Sequence, residues 1–223
     1  MRLAVQRWLP SGPVRRFARR RLRGSWFDRA VLWLGGSALL AWGGLVVLVT
    51  RASQVAPGQI VSDGLLAASW TVGMLAALGA ARPLVAEDEG DGVRTMMAVR
   101  GLGASWLQSA YLLAAAARIA RVVAFPVLLI WLLALMATNT SQELSGFALL
   151  PAVILVYSAI FGTALAALAR WGATWVPGQG RPVLLALVVV PHLAGIIWPS
   201  VPSLPSLFRA LVEALVGFAG GLA

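Results

Sequence analysis

Long runs of almost uninterrupted apolar residues alternate with short polar stretches along the 223-residue chain. Crossing a hydrocarbon core of about 30 Å takes about 20 apolar residues in helical form. Six runs meet or approach that need, at about 30–50, 60–81, 119–137, 147–169, 182–198 and 206–222. The pattern predicts an all-α integral membrane protein of six transmembrane helices over 30–223, with no sizeable soluble domain.

The polar stretches refine this outline. Residues 1–29 begin a helix near Ser11, Gly12 and Pro13 and place Val14, Phe17, Ala18, Leu22 and Trp26 at helical spacing among arginines. This predicts an amphipathic helix in the interface, its guanidinium groups on lipid phosphate; the alternative is that the arginines only fix topology. Gly35, Gly36, Gly43 and Gly44 in the first run would let a neighbouring helix approach closely. The segment from Ser105 to Ala137 is longer than one crossing, so an interfacial helix is expected to lead into the third span, with Pro126 as a site for a kink. WPSVPSLP, at 198–205, breaks the last two runs apart. The final run is either a short sixth span or a re-entrant element followed by one, the latter requiring that protein or water cover the backbone.

Composition agrees with the pattern and adds a direction. Mean hydropathy is +0.84 and only 12% of residues are charged, about half the share of a soluble domain. Every basic residue is an arginine, half of them before residue 30, and the net charge is +10. Such clustering points to a membrane surface and an orientation signal, not to nucleic acid. Arg15, Arg16, Arg19, Arg20, Arg21 and Arg23, with Arg118 and Arg121 ahead of the third span, are the membrane-surface residues. Under six crossings, 16 of the 18 arginines fall on the N-terminal side, leaving Arg51 and Arg209 opposite. Both termini and the loop at 82–104 are then expected in the cytoplasm. The twin arginines resemble a secretion signal, but the apolar run is distant and long, so the segment reads as uncleaved.

Several chemistries are excluded or disfavoured. The chain has no cysteine and no lysine, so it lacks disulfides, thiolate sites, Schiff bases and the lysine of a phosphate-binding P-loop. His192 is the only histidine and is expected to bond within the bundle. Asp63, Glu143 and Glu213 are isolated in different segments, so no enzyme is expected, and no metal or cofactor. Arg209 and Glu213, four apart, are placed to form a local ion pair. No carboxylate relay runs through the spans, which argues against an ion-coupled carrier. Energy for transport would have to come from a partner.

The loop VAEDEGDGVRTMMAVRG, residues 85–101, is the place for that. It gathers four of the eight acidic residues, Glu87, Asp88, Glu89 and Asp91, ahead of Gly92, Arg94 and Arg100. Carboxylates this close repel one another unless a basic partner or cations lie near. Gly90 and Gly92 allow a sharp turn, after which Val93, Met96 and Met97 lie on a short helix whose N-terminal dipole the acids favour. A short, exposed, capped helix suits a groove on another protein.

The sequence here resembles the permease subunits of type-2 ABC transporters. The residues that carry the likeness are Glu87, Glu89, Asp91, Gly92, Met96 or Met97, Arg100 and Gly101, with Ala117, Arg118 and Ala120 further on. The resemblance implies a coupling helix between spans two and three that inserts into a separate P-loop ATP-binding subunit, where ATP and Mg would be held. It also implies a second permease subunit, as homodimer or heterodimer, and a bacterial cytoplasmic (inner) membrane location. The coupling residues would be Glu87, Asp88, Glu89, Asp91, Gly92, Arg94, Met96, Met97 and Arg100. The chain departs from the family in having only WPSVPSLPSLF for the re-entrant pair that many members carry between spans five and six. Its small size is similar to that of the haem exporter membrane subunit, without that subunit's leucine-rich continuation. The alternative is a membrane-embedded assembly component that recruits soluble partners by the same loop and transports nothing.

Overall fold

The apolar runs fold as helices. The computed structural model describes residues 12–22, 26–53, 57–81, 92, 95, 99, 104–137, 148–175, 179–198, 200 and 202–221. The helices are α1 (Gly12–Arg21), α2 (Trp26–Ser53), α3 (Pro57–Ala68), α4 (Met74–Ala80), α5 (Ala104–Ala137), α6 (Leu150–Trp175), α7 (Gly180–Ile197) and α8 (Leu204–Gly221). A π-helical turn, Ser69–Gly73, joins α3 to α4 without ending the helix. No strand occurs among the described residues. Four stretches are long and apolar enough to cross a membrane: Gly58–Ala80, Gln108–Met136, Leu150–Gly172 and Gly180–Ile197. The chain thus has the build of an all-helical membrane protein.

The bundle is organised around α5 and α6, which are antiparallel. Tyr111 lies under Arg170, and Gly162 lies on the α5 backbone at Ala116 and Ala120. A Cβ on Gly162 would stand 2.7 Å from the Ala116 carbonyl oxygen and 2.9 Å from the Ala120 nitrogen. Only glycine permits backbones this close, and in lipid such packing replaces the hydrophobic effect as the main attraction between helices. α3 and α4 run antiparallel to α5, with Gly64 against Val127, Gly73 against Val123 and Gly79 beside Arg118. α2 crosses both through Gly35, against Val72, and Gly43, against Ile130. Gly36 and Gly44 meet nothing within 4 Å. Two of the four glycines expected to admit a neighbour therefore do so.

The direction of α8 bears on the choice left open above between a sixth span and a re-entrant element. Phe208 packs on Trp70 near the middle of the Gly58–Ala80 stretch, and Gly58 meets Val216. α8 therefore runs antiparallel to α3, in the direction of α2 and α5. α7 starts at the opposite level, where Gly172 meets Val183 and Arg181 reaches Leu78. α7, long and apolar enough to cross alone, and α8 run in the same direction, and α8 begins close to the mid-depth level of Trp70. Six alternating crossings would have put both termini at one end; instead α1 and the finish of α8 lie at opposite ends of the bundle. Hydropathy locates an apolar helix but does not give its direction, and the proline-rich break lets the chain turn back inside the bundle.

Two smaller differences concern α5 and α1. α5 is a single 34-residue helix that continues through the buried Pro126, and its apolar stretch begins at Gln108. Arg118 nevertheless lies beside Gly79, next to the end of the Gly58–Ala80 stretch, so α5 carries its apolar character past the level at which its neighbour stops. α1 packs on α5 and buries Ala18 and Leu22 completely or nearly so. Part of its apolar face is thus committed to protein contact, and Trp26 belongs to α2.

Replacing Gly162 by Val should force α5 and α6 apart and lower stability by about 1–3 kcal/mol, the usual cost of overpacking. Gly44→Ala, at a position facing open space, should leave stability unchanged within about 0.5 kcal/mol. Denaturant unfolding of the purified protein in detergent micelles checks both.

Candidate functional site

Of the proposed coupling residues only Gly92 is described; Glu87, Asp88, Glu89, Asp91, Arg94, Met96, Met97 and Arg100 lie outside the described residues. Gly92 has φ 71°, in the left-handed region that costs other residues about 1–2 kcal/mol. It is the one described glycine with positive φ, and it occupies the turn expected of it. Thr95 and Val99 are helical, one turn apart on one face, and exposed, Val99 at 83%. A nearly bare helical valine is a contact surface without a cover in the single chain.

At the end of the bundle that bears α1, arginines hold helix termini. The last carbonyls of a helix lack internal partners and carry partial negative charge. Arg118 donates from its guanidinium to the carbonyl of Leu22, just past the end of α1. Arg181 Nε donates to the carbonyl of Leu78 near the end of α4, at 3.2 Å. Arg170 lies 5.8 Å from the centre of the Tyr111 ring, a cation–π contact. Arg121 Nε bonds back to the carbonyl of Ala117 at 2.8 Å and stays exposed. On α1, Arg16, Arg19 and Arg20 are exposed. Arg15 and Arg21 are helical, their side chains and the whole of Arg23 falling outside the described set. Arg118, expected at lipid phosphate, thus has a structural role between α1 and α5.

The second concentration of unusual chemistry is at mid-depth. Ser69 Oγ donates to Tyr157 Oη at 3.2 Å in a buried setting. Around that pair lie Trp70, Phe161 and Phe208: Trp70 and Phe161 meet edge-on at 5.6 Å, Phe161 and Phe208 at 4.9 Å, and Tyr157 stacks on Phe161 at 6.0 Å. Trp70 Nε1 and Ser158 Oγ are buried without a hydrogen-bond partner. The π turn supplies the space for this cluster. Its last residue, Gly73, sits where a Cβ would come 2.9 Å from Phe161 and 2.7 Å from Val123. π turns recur at functional sites because the extra residue re-aims the side chains around it.

The break before α8 adjoins the cluster and satisfies its own backbone. Ser203 is the N-cap, buried at 5% exposure. Its Oγ accepts from the Ser206 N–H at 3.3 Å, while Ser206 Oγ accepts from the Ser203 N–H at 3.1 Å. This reciprocal capping box serves two of the donors that a helix start leaves unmet. Trp198 N–H donates to Ala194 at 2.7 Å and closes α7. A chain break at membrane depth is tolerable only with such partners.

The remaining singled-out residues are not brought together. His192 is exposed on α7 instead of bonded within the bundle, because the buried side of that helix is occupied by Gly180, Leu184 and Val188. Asp63 is exposed on α3, and Glu143 lies outside the described residues. Arg209 and Glu213 are both exposed and do not pair with each other. A pair so exposed gains little against the entropy of ordering two long side chains. Among the described residues no group of three potential metal ligands occurs. Sequence reading passed over the mid-depth cluster, whose traces are SWT at 69–71 and YS at 157–158 in otherwise apolar runs.

Ser203→Ala should weaken α8 docking by about 1 kcal/mol, the usual worth of an N-cap, and raise amide exchange in 204–207 more than Ser37→Ala does in α2. Tyr157→Phe should cost about 0.6 kcal/mol, as single hydrogen bonds between membrane helices do, and hydrogen exchange with thermal unfolding reads both. No known protein family, curated protein or solved structure matches this chain.

Proposed function

We propose that the chain is the membrane subunit of an ABC-type transporter, driven by a separate ATP-binding subunit that docks on residues 82–104. The reading is carried by the left-handed turn at Gly92 and the exposed helical face of Thr95 and Val99 that follows it. An apolar residue left bare beside a charge-rich segment is what a partner's groove would cover. In this reading α2 and α8 also lie in the membrane, with α7 crossing outward and α8 starting again near mid-depth in the same direction. The end of the bundle that bears α1 faces the cytoplasm, since the described Arg16, Arg19 and Arg20 of α1 and Arg181 at the start of α7 lie there. The opposite end, with the finish of α8, faces outward.

The mid-depth features support a moving part. Interrupted helices near the middle of the bilayer, beside unmet polar groups, are where transporters of several folds hold cargo. Trp70 Nε1, Ser158 Oγ and the α7–α8 break provide that setting. ATP-driven closure of the partner would push on 93–100 and, through α5, on the Gly73–Val123–Phe161 contact. ATP hydrolysis stays in the partner.

One observation favours the assembly-component reading instead: α1 and the finish of α8 at opposite ends depart from the even number of crossings that the resemblance implies. The two readings separate on turnover. Glu89→Ala with Asp91→Ala should release the copurifying ATPase or abolish its stimulation, leaving membrane insertion and the unfolding midpoint intact. Gly92→Val, which strains the turn by about 1 kcal/mol or more, should act in the same direction. Unchanged copurification and unchanged stimulated ATPase activity in the double variant would overturn the coupling role. An ATPase that binds but whose hydrolysis moves no cargo in vesicles would favour assembly.

A further inference from the structure

Arg209 and Glu213 are the only charged residues of α8, and among the described residues neither has an ionic or hydrogen-bonding partner. Their depth makes this unusual. Arg209 directly follows Phe208, which packs against Trp70, Tyr157 and Phe161 in the middle of two membrane-length stretches. Val216 lies against Gly58, where the first of those stretches begins, so Glu213 falls between mid-depth and the end. Ionised groups at such depths almost always face protein or a water-filled space and pair with one another. Both are exposed on the single chain.

The surface around them has a second property. α8 buries Phe208, Val212 and Ala219 on one side and exposes Ser206, Ala210, Ala214 and Gly217 on the other. These small residues recur at three- and four-residue spacing beside the two charges. Gly217 meets nothing within 4 Å. Small residues on an open membrane-helix face admit the backbone of another helix.

From these two observations we infer that α8 is the interface with a second copy of this chain, the small residues packing at the axis and Arg209 of each copy pairing with Glu213 of the other. A copy fits better than an unrelated protein because opposite charges one turn apart on one stripe are self-complementary. A twofold axis along the membrane normal sets the two α8 helices parallel and forms the pair twice, as an isologous interface requires. The pairing supplies each chain with the partners it lacks. The inference rests on the membrane placement of α8 proposed above and not on transport, so its test uses the purified chain without an ATPase.

The native chain has no cysteine, so single cysteines report contacts cleanly. Ala210→Cys and Gly217→Cys variants of the full chain, reconstituted in phosphatidylcholine vesicles and oxidised, should form a disulfide-linked species of twice the chain mass. The yield should be roughly tenfold above that of Phe125→Cys, exposed on α5, as expected for a packed small-residue interface. Adding Arg209→Glu should cut the yield roughly fivefold, and Arg209→Glu with Glu213→Arg should restore it, the signature of a coupled pair. Gly217→Leu in the Ala210→Cys background adds bulk without touching charge and should also abolish the link. Yields at Ala210 and Gly217 no higher than at Phe125 would overturn the interface. Yields unaffected by Arg209→Glu, or a swap that inserts normally but stays unlinked, would overturn the pairing.

Discussion

The backbone contact at Gly162 is the constraint on which the other packing depends. With no side chain there, α6 rests directly on the main chain of α5 at Ala116 and Ala120, and the two longest helices after residue 100 become one antiparallel unit. In lipid, burial of apolar side chains does not draw helices together, so close approach and dispersion contacts must. Once α5 and α6 are fixed, Gly73 can enter between Val123 and Phe161, and the π turn before it follows from fitting a glycine at that level. Tyr111, Tyr157 and Phe161, among the largest fully buried side chains, all lie on this unit.

The interruption between α7 and α8 is a consequence of how backbone donors are satisfied. Prolines at 199, 202 and 205 prevent one continuous helix, yet free N–H groups cannot be left in hydrocarbon. Ser203 and Ser206 resolve the conflict by capping one another, which lets α8 begin inside the bundle next to the aromatic cluster. The same two serines therefore account for the start of α8 at this depth, and the contacts of Phe208 and Val216 set its direction.

Much of the helix layout was legible because hydropathy is a local property: each of the six apolar runs falls on a described helix. Gly92 was legible as a turn because an acidic–glycine segment between helices leaves few other conformations. The direction of α8 was not, since WPSVPSLP is compatible with an outer loop or with a return into the bundle, and only contacts at Phe208 and Val216 distinguish them. The π turn leaves no residue-level mark, as SWTVG contains nothing that an ordinary helix would reject. Arg118 looked like a surface anchor because sequence shows charge but not the carbonyl of Leu22 waiting 96 positions earlier. The acidic residues of the loop were visible in composition, and their geometry lies outside the described residues.

The length of α5 has a mechanical meaning. Thirty-four residues at 1.5 Å each make a rod of about 51 Å, against a hydrocarbon thickness of about 30 Å. The portion before Arg118 stands clear of the level of Gly79 and is braced by α1 and by the Arg170–Tyr111 contact. A rod held near its middle acts as a lever. For a rigid rod of this length pivoting at Gly162, a sideways push at residue 104 would be returned, reduced in amplitude and reversed in sign, at Val127 and Ile130.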